Sequence, residues 1–126
     1  MKYLLTFCIF FITVIPVYCE EIYSIHYDQC MDSSGGVTYE MQECMNSEFQ
    51  YQDSKLNEVY KKLMNSLSDD RKKQLRDAQR LWIAYTEKNC DFYDEPDGGS
   101  LERLSAISCI LSSTANRVRE LESFIE

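Results

Sequence analysis

Apolar side chains recur every three or four residues from residue 38 onward, and the first stretch of this pattern is the longest. Thr38 stands where a helix N-cap is expected, and Glu40 lies in the first turn, where the helix dipole favours an acid. No glycine or proline interrupts residues 37–91. The pattern predicts a long amphipathic helix. Its inward face consists of Met41, Met45, Phe49, Gln52, Leu56, Tyr60, Leu63 and Leu67.

Two further stripes with the same period predict two more helices. Ser68, followed by two aspartates, is expected to cap the second helix, and the segment 95–99, which contains proline and glycine, ends it. Ser100 is expected to cap the third helix. The second stripe consists of Leu75, Ala78, Trp82, Tyr85, Asn89 and Phe92, and the third of Leu104, Ile107, Leu111, Thr114, Val118, Leu121 and Ile125.

The connections between these helices are short, and short connections make neighbouring helices antiparallel. The sequence therefore predicts an all-α domain over residues 38–126, folded as an up-down-up three-helix bundle. Residues 20–37 show no clear period and are interpreted as a polar N-terminal lead-in and loop.

The first 19 residues have the layout of a secretory signal peptide. Lys2 supplies a positive end, an apolar run extends from Tyr3 to Ile15, and Cys19 is a small residue at the expected cut. The run is shorter than the roughly 20 residues that span a bilayer. A membrane anchor and a lipid-modified Cys19 are the alternatives. Cleavage predicts a periplasmic or secreted protein without a membrane segment.

The cysteines support export, because four of the six remain after this cut. In an oxidising compartment, four cysteines in a small domain predict two disulfides. The absence of a C-x-x-C pair argues against zinc, so no metal site is predicted. The bundle topology brings all four cysteines to one end, and sequence alone leaves three pairings open. We favour the pairing of the first with the second and of the third with the fourth. In chain order the four are Cys30, Cys44, Cys90 and Cys109.

The net charge of the chain indicates which classes of molecule it can bind. Removal of the signal leaves 12 of the 13 basic residues against all 21 acidic ones, a net charge of −9. Such a chain repels nucleic acid and anionic lipid and favours encounter with a basic protein. Solubility is the alternative explanation for the charge.

Part of this charge lies in a loop that is the candidate target-binding site. A loop closed by a disulfide is preorganised, which reduces the ordering cost of binding. The alternative is an ordinary solvated turn. The candidate residues are Asp94, Glu95, Asp97, Gly98, Gly99 and Ser100.

Catalysis is not predicted. His26 is the only histidine and lies in the lead-in, so a Ser-His-Asp or Cys-His site is not expected. Acid pairs such as Asp69 and Asp70 fall in first helical turns, where the dipole explains them. No catalytic residue and no cofactor is therefore assigned, and the chain is interpreted as a binding protein.

Two motifs resemble a known family. The first is Met41-x-x-Cys44 followed by Glu48-Phe49, and the second is Leu75-Arg76-x-Ala78-Gln79-Arg80-x-Trp82, followed by Cys90 and Cys109. Together they resemble the LprI-like lysozyme inhibitor domain, a secreted helical domain of bacterial envelope proteins. The resemblance implies a partner that is a basic lysozyme or another peptidoglycan hydrolase. It also implies an arginine at the position of Thr86, where this chain departs from the family pattern.

Three functions are compatible with this sequence. The first is one-to-one inhibition of lysozyme or a related hydrolase by occlusion. The second is a non-inhibitory adaptor or structural protein of the envelope. The third is an immunity protein against a toxic cell-wall hydrolase. The sequence leaves the oligomeric state open.

Overall fold

The computed structural model describes residues 21–125, so the signal peptide predicted for residues 1–19 lies outside the described residues. Within that range all regular structure is helical, which confirms the all-α class, and no helix is long and apolar enough to span a membrane. The predicted number of three helices is wrong, because the chain forms four. They are α1 (Ile25–Ser33), α2 (Thr38–Ser66), α3 (Asp69–Asp91) and α4 (Ser100–Glu122).

The additional helix, α1, lies in the segment interpreted as a lead-in. Ser24 caps it by accepting a hydrogen bond from the backbone N–H of Tyr27. The helix buries no residue completely and contributes only the partly buried Tyr27 and Met31 to the core. Nine residues with two inward side chains are too few to show a helical period. Gly35 and Gly36, with φ of 58° and 80°, then turn the chain into α2.

The core lies between α2 and α4, which run parallel. Residues from the first half of each helix pack together in one cluster, and residues from the second halves pack together in another. Because α3 connects the far end of α2 to the near end of α4, it runs antiparallel to both. The first cluster consists of Met45, Leu104 and Leu111, and the second of Leu56, Val59, Leu63, Val118 and Leu121.

The inward face predicted for α3 is wrong in its second half. Tyr85 is 67% exposed and Phe92 is 85% exposed, whereas Thr86 and Cys90 are buried. The prediction assumed that α3 packs against two helices. In the structure α3 packs on α4 and makes no comparable contact with α2, so its buried face is shifted by one residue.

Of the three predicted helix N-caps, only Ser68 occupies its expected position. Thr38 and Ser100 are the first helical residues of α2 and α4, and the N-cap positions belong to Val37 and Gly99. Ser68 does occupy the N-cap position of α3, but its side chain makes no capping hydrogen bond.

Candidate functional site

Both disulfides lie at the same end of the molecule, which we call the stapled end. Cys30 is bonded to Cys44 and links α1 to α2, with 5.7 Å between the Cα atoms. Cys90 is bonded to Cys109 and links α3 to α4, with 5.5 Å between the Cα atoms. This is the favoured one of the three pairings that the sequence leaves open.

The stretch between α3 and α4, residues 92–99, forms what we call the acidic loop, and internal hydrogen bonds fix its shape. The N–H of Gly98 donates to the carbonyl oxygen of Glu95 over 2.8 Å. The N–H of Gly99 donates to the carboxylate of Glu102 in the first turn of α4, also over 2.8 Å. A Cβ at Gly98 would lie 2.9 Å from the same Glu95 oxygen, so glycine is required at this close approach. The loop is therefore a defined turn on a cross-linked base.

The surroundings of the acidic loop are strongly negative. Residues 87–103 contain six acidic and two basic side chains. Lys88 is engaged with Asp91 at 3.8 Å, whereas Asp94, Glu95 and Asp97 are exposed and form no salt bridge within residues 21–125. These three predicted site residues thus stand together in solvent, where they attract cationic groups.

Apolar side chains stand beside these acids, and the sequence reasoning missed them. Phe92 is 85% exposed, Leu101 is 70% exposed and Tyr93 is 49% exposed. The periodicity predicts Phe92 on the inward stripe of α3, and the structure contradicts this. The sequence did contain one indication that Phe92 is exposed, because Phe92 comes directly before a loop that a disulfide closes. Aromatic residues are enriched in protein–protein interfaces.

A second polar cluster fastens the N-terminal segment to α2. The buried carboxylate of Glu48 accepts hydrogen bonds from the N–H of Ser24 over 2.9 Å and from its hydroxyl over 2.5 Å. The side-chain amide of Gln52 donates to the same carboxylate over 2.8 Å and to the carbonyl of Ile22 over 3.2 Å. All of these donors are neutral, and the cluster holds α1 in place.

His26, which the sequence pattern places in an irregular lead-in, lies on α1 and is exposed. In the described range, no group of three or more His, Cys, Asp and Glu side chains is placed to hold a metal ion.

Alkaline pH is expected to destabilise the α1 region. Burial, followed by the charge of Glu48, raises the pKa of Tyr23 above its ordinary value of 10.0. Burial raises the pKa of Tyr27 most, followed by the negative charges of Tyr23, Glu48 and Asp28 in that order. The unfolded chain therefore loses these protons at lower pH than the folded one, and stability falls as pH rises above the unfolded value.

The measurement is thermal unfolding between about pH 9 and pH 11. We expect the melting temperature to fall more for the unaltered protein than for a variant with Tyr23→Phe and Tyr27→Phe. Equal falls would assign the alkaline sensitivity to other groups, such as the lysines.

Comparison with known proteins adds a finding to this geometry. Residues 30–121, most of the chain, match the family described as lysozyme inhibitor LprI. The chain belongs to the LprI family. An uncharacterised protein of Rhizobium meliloti (strain 1021) is 26% identical over 97 residues, which cover 66% of this chain and 70% of that protein. No solved structure matches the chain significantly.

This LprI-family chain has Thr86 at a position where the family resemblance implies an arginine. Thr86 is buried one turn before Cys90 on the same face of α3, and its hydroxyl has no hydrogen-bond partner among the described residues. A buried guanidinium from α4 lies elsewhere in the contact between α3 and α4. Arg117 donates to Gln79 over 3.0 Å, and its guanidinium lies 5.8 Å from the centroid of the Trp82 ring. This arginine anchors α3 to α4.

Proposed function

We propose that this protein is exported and inhibits a lysozyme or a related peptidoglycan hydrolase by one-to-one occlusion. The observation that carries the proposal is the acidic loop, which is cross-linked at its base and presents three unpaired acids beside the exposed Phe92. Membership in the LprI family supports the same function.

The proposed inhibition follows from charge and shape. C-type lysozymes are basic, so a negatively charged end accelerates encounter and orients the two proteins. A fixed loop loses little conformational entropy on binding, which leaves more of the contact energy for affinity. The exposed aromatic side chains supply apolar area that acids alone lack. No catalytic group is required for this function.

The direct test is lysis of a peptidoglycan suspension by a c-type lysozyme in salt of about 0.15 M, where surface charges are screened as in physiological fluids. The oxidised protein, added in modest excess, is expected to reduce lysis in proportion to its concentration. Unchanged lysis at every concentration would reject lysozyme inhibition and favour an adaptor or immunity role.

Neutralising the acidic loop is expected to weaken inhibition by about tenfold, mainly through slower association. The variant carries Asp94→Asn, Glu95→Gln and Asp97→Asn. The measurement is the concentration that halves lysis, repeated at low and high salt, because the loss should be largest at low salt.

A matched control removes the same charge elsewhere. Glu58, Asp70 and Asp77 are exposed, form no salt bridge among residues 21–125 and lie away from the stapled end. Their replacement by Gln, Asn and Asn changes the net charge by the same amount. If both triple variants lose inhibition equally, the overall charge matters and the acidic loop does not.

A further inference from the structure

An open groove lies beside the acidic loop, between α2 and α3, with α4 as its floor. Its volume is about 640 Å³. The apolar part of its lining comes from α2, from the acidic loop and from the start of α4. These residues are Met41, Met45, Tyr93, Leu101 and Leu104.

The groove stays open because α3 packs mainly on α4 and few of its residues approach α2. In a tightly packed bundle, side chains would fill this space. Here the part of α4 that forms the groove floor carries only the small side chains of Ser105, Ser108 and Ser112. The two methionines on the opposite wall adapt their shape readily to an inserted group. The groove can therefore receive a side chain from another protein.

The rim of the groove determines which partner fits. Tyr93 and Leu101 belong both to the groove and to the strongly acidic stretch of residues 87–103. An apolar side chain that enters the groove therefore brings its neighbouring residues next to Asp94, Glu95 and Asp97. Positive neighbours gain from this position, whereas negative ones are repelled. A second copy of this chain, with a net charge of −8, is poorly suited.

From this arrangement we infer that the groove is the pocket for an apolar side chain of the basic partner, flanked there by lysine or arginine. The inference rests on the proposed inhibition and names the surface that supplies its binding energy. The acids control association, and the groove controls dissociation, because buried apolar anchors dominate the lifetime of a complex.

Filling the groove tests this assignment. Ser108 is exposed on the groove floor, so Ser108→Trp occupies the space without changing any charge. Binding to an immobilised c-type lysozyme should show dissociation about tenfold faster. Association should stay within about twofold, since the acids are unchanged. The matched control is Ser54→Trp, on the exposed surface of α2 away from the groove.

A second variant guards against misfolding of the first. Leu101 is 70% exposed, and Leu101→Ser removes part of the groove wall with little expected effect on folding. Circular dichroism and melting curves confirm that each variant is folded. Faster dissociation of both groove variants, with unchanged Ser54→Trp, supports the inference.

The remaining outcomes separate the two proposals. If the unaltered protein inhibits lysozyme and both groove variants dissociate at its rate, the groove assignment is overturned and the proposed function stands. If the unaltered protein neither binds nor inhibits, both are rejected. If sedimentation shows a dimer that Ser108→Trp dissolves while lysozyme binding is unchanged, the occupant is a second copy and the inference is overturned.

Discussion

Replacing Cys90 and Cys109 together by alanine is expected to lower the free energy of unfolding by about 3 kcal/mol and to abolish inhibition. The bond closes a segment of 19 residues, and breaking it restores the conformational freedom of the unfolded chain. It also matters in the folded state. Because α3 packs mainly on α4, this bond is a principal tie between them at the stapled end. Urea unfolding followed by circular dichroism, together with the lysis assay, measures both effects.

The other disulfide provides the control. The Cys30–Cys44 bond closes 14 residues, so its removal by alanine should cost a similar stability of about 3 kcal/mol. It ties α1 to α2 and does not border the acidic loop. Inhibition should therefore survive at temperatures where this variant remains folded. Equal loss of inhibition in both folded variants would contradict a role for the acidic loop as the contact site.

The two helices that the sequence predicted best are those buried along their whole length. Leu111 and Leu121 on α4 are at most 1% exposed, and α4 packs along α2 from one end to the other. A helix in such a position needs apolar residues at every turn, so its period is visible in the sequence. The parallel arrangement of α2 and α4 followed from the short connections.

The sequence failed where an element has few neighbours. In α1, only Tyr27 and Met31 pack against the core, and the helix depends on the Ser24 cap and on hydrogen bonds to α2, which leave no periodic trace. In α3, Tyr85 and Asn89 lie on the predicted stripe, yet the buried residues Thr86 and Cys90 are one position later. Periodicity predicts that a helix has one buried face. It does not determine which of two neighbouring sets of residues forms that face.

The sequence predicted the charged residues of the candidate site but not its apolar residues or its groove. Asp94, Glu95 and Asp97 are prominent because charge is visible in a sequence, and the structure places them together in solvent. The exposure of Phe92 depends on the register of α3 against α4, which is a tertiary property. The groove depends on the distance between α2 and α3, which no local pattern encodes.

Replacing Glu48 by alanine is expected to lower the free energy of unfolding by about 3 kcal/mol, because hydrogen bonds to a buried charged group are among the strongest. Glu48 is 3% exposed, and its carboxylate accepts from Ser24 twice and from Gln52 once. Alanine would leave the buried amide of Gln52 and the half-buried donors of Ser24 without this acceptor, and would open a cavity between the N-terminal segment and α2. Chemical unfolding measures the stability, and amide hydrogen exchange should accelerate first in α1.

Two controls make the prediction specific. Glu43 is an exposed acid on the same helix, and Glu43→Ala should change stability by no more than about 0.5 kcal/mol. Glu48→Gln keeps the shape and one acceptor oxygen but adds donor hydrogens opposite Gln52, so its loss should lie between those of the two alanine variants. If Glu48→Ala matched Glu43→Ala, the hydrogen bonds at Ser24 would not hold α1. The burial of the Glu48 carboxylate would then have to serve a purpose other than stability.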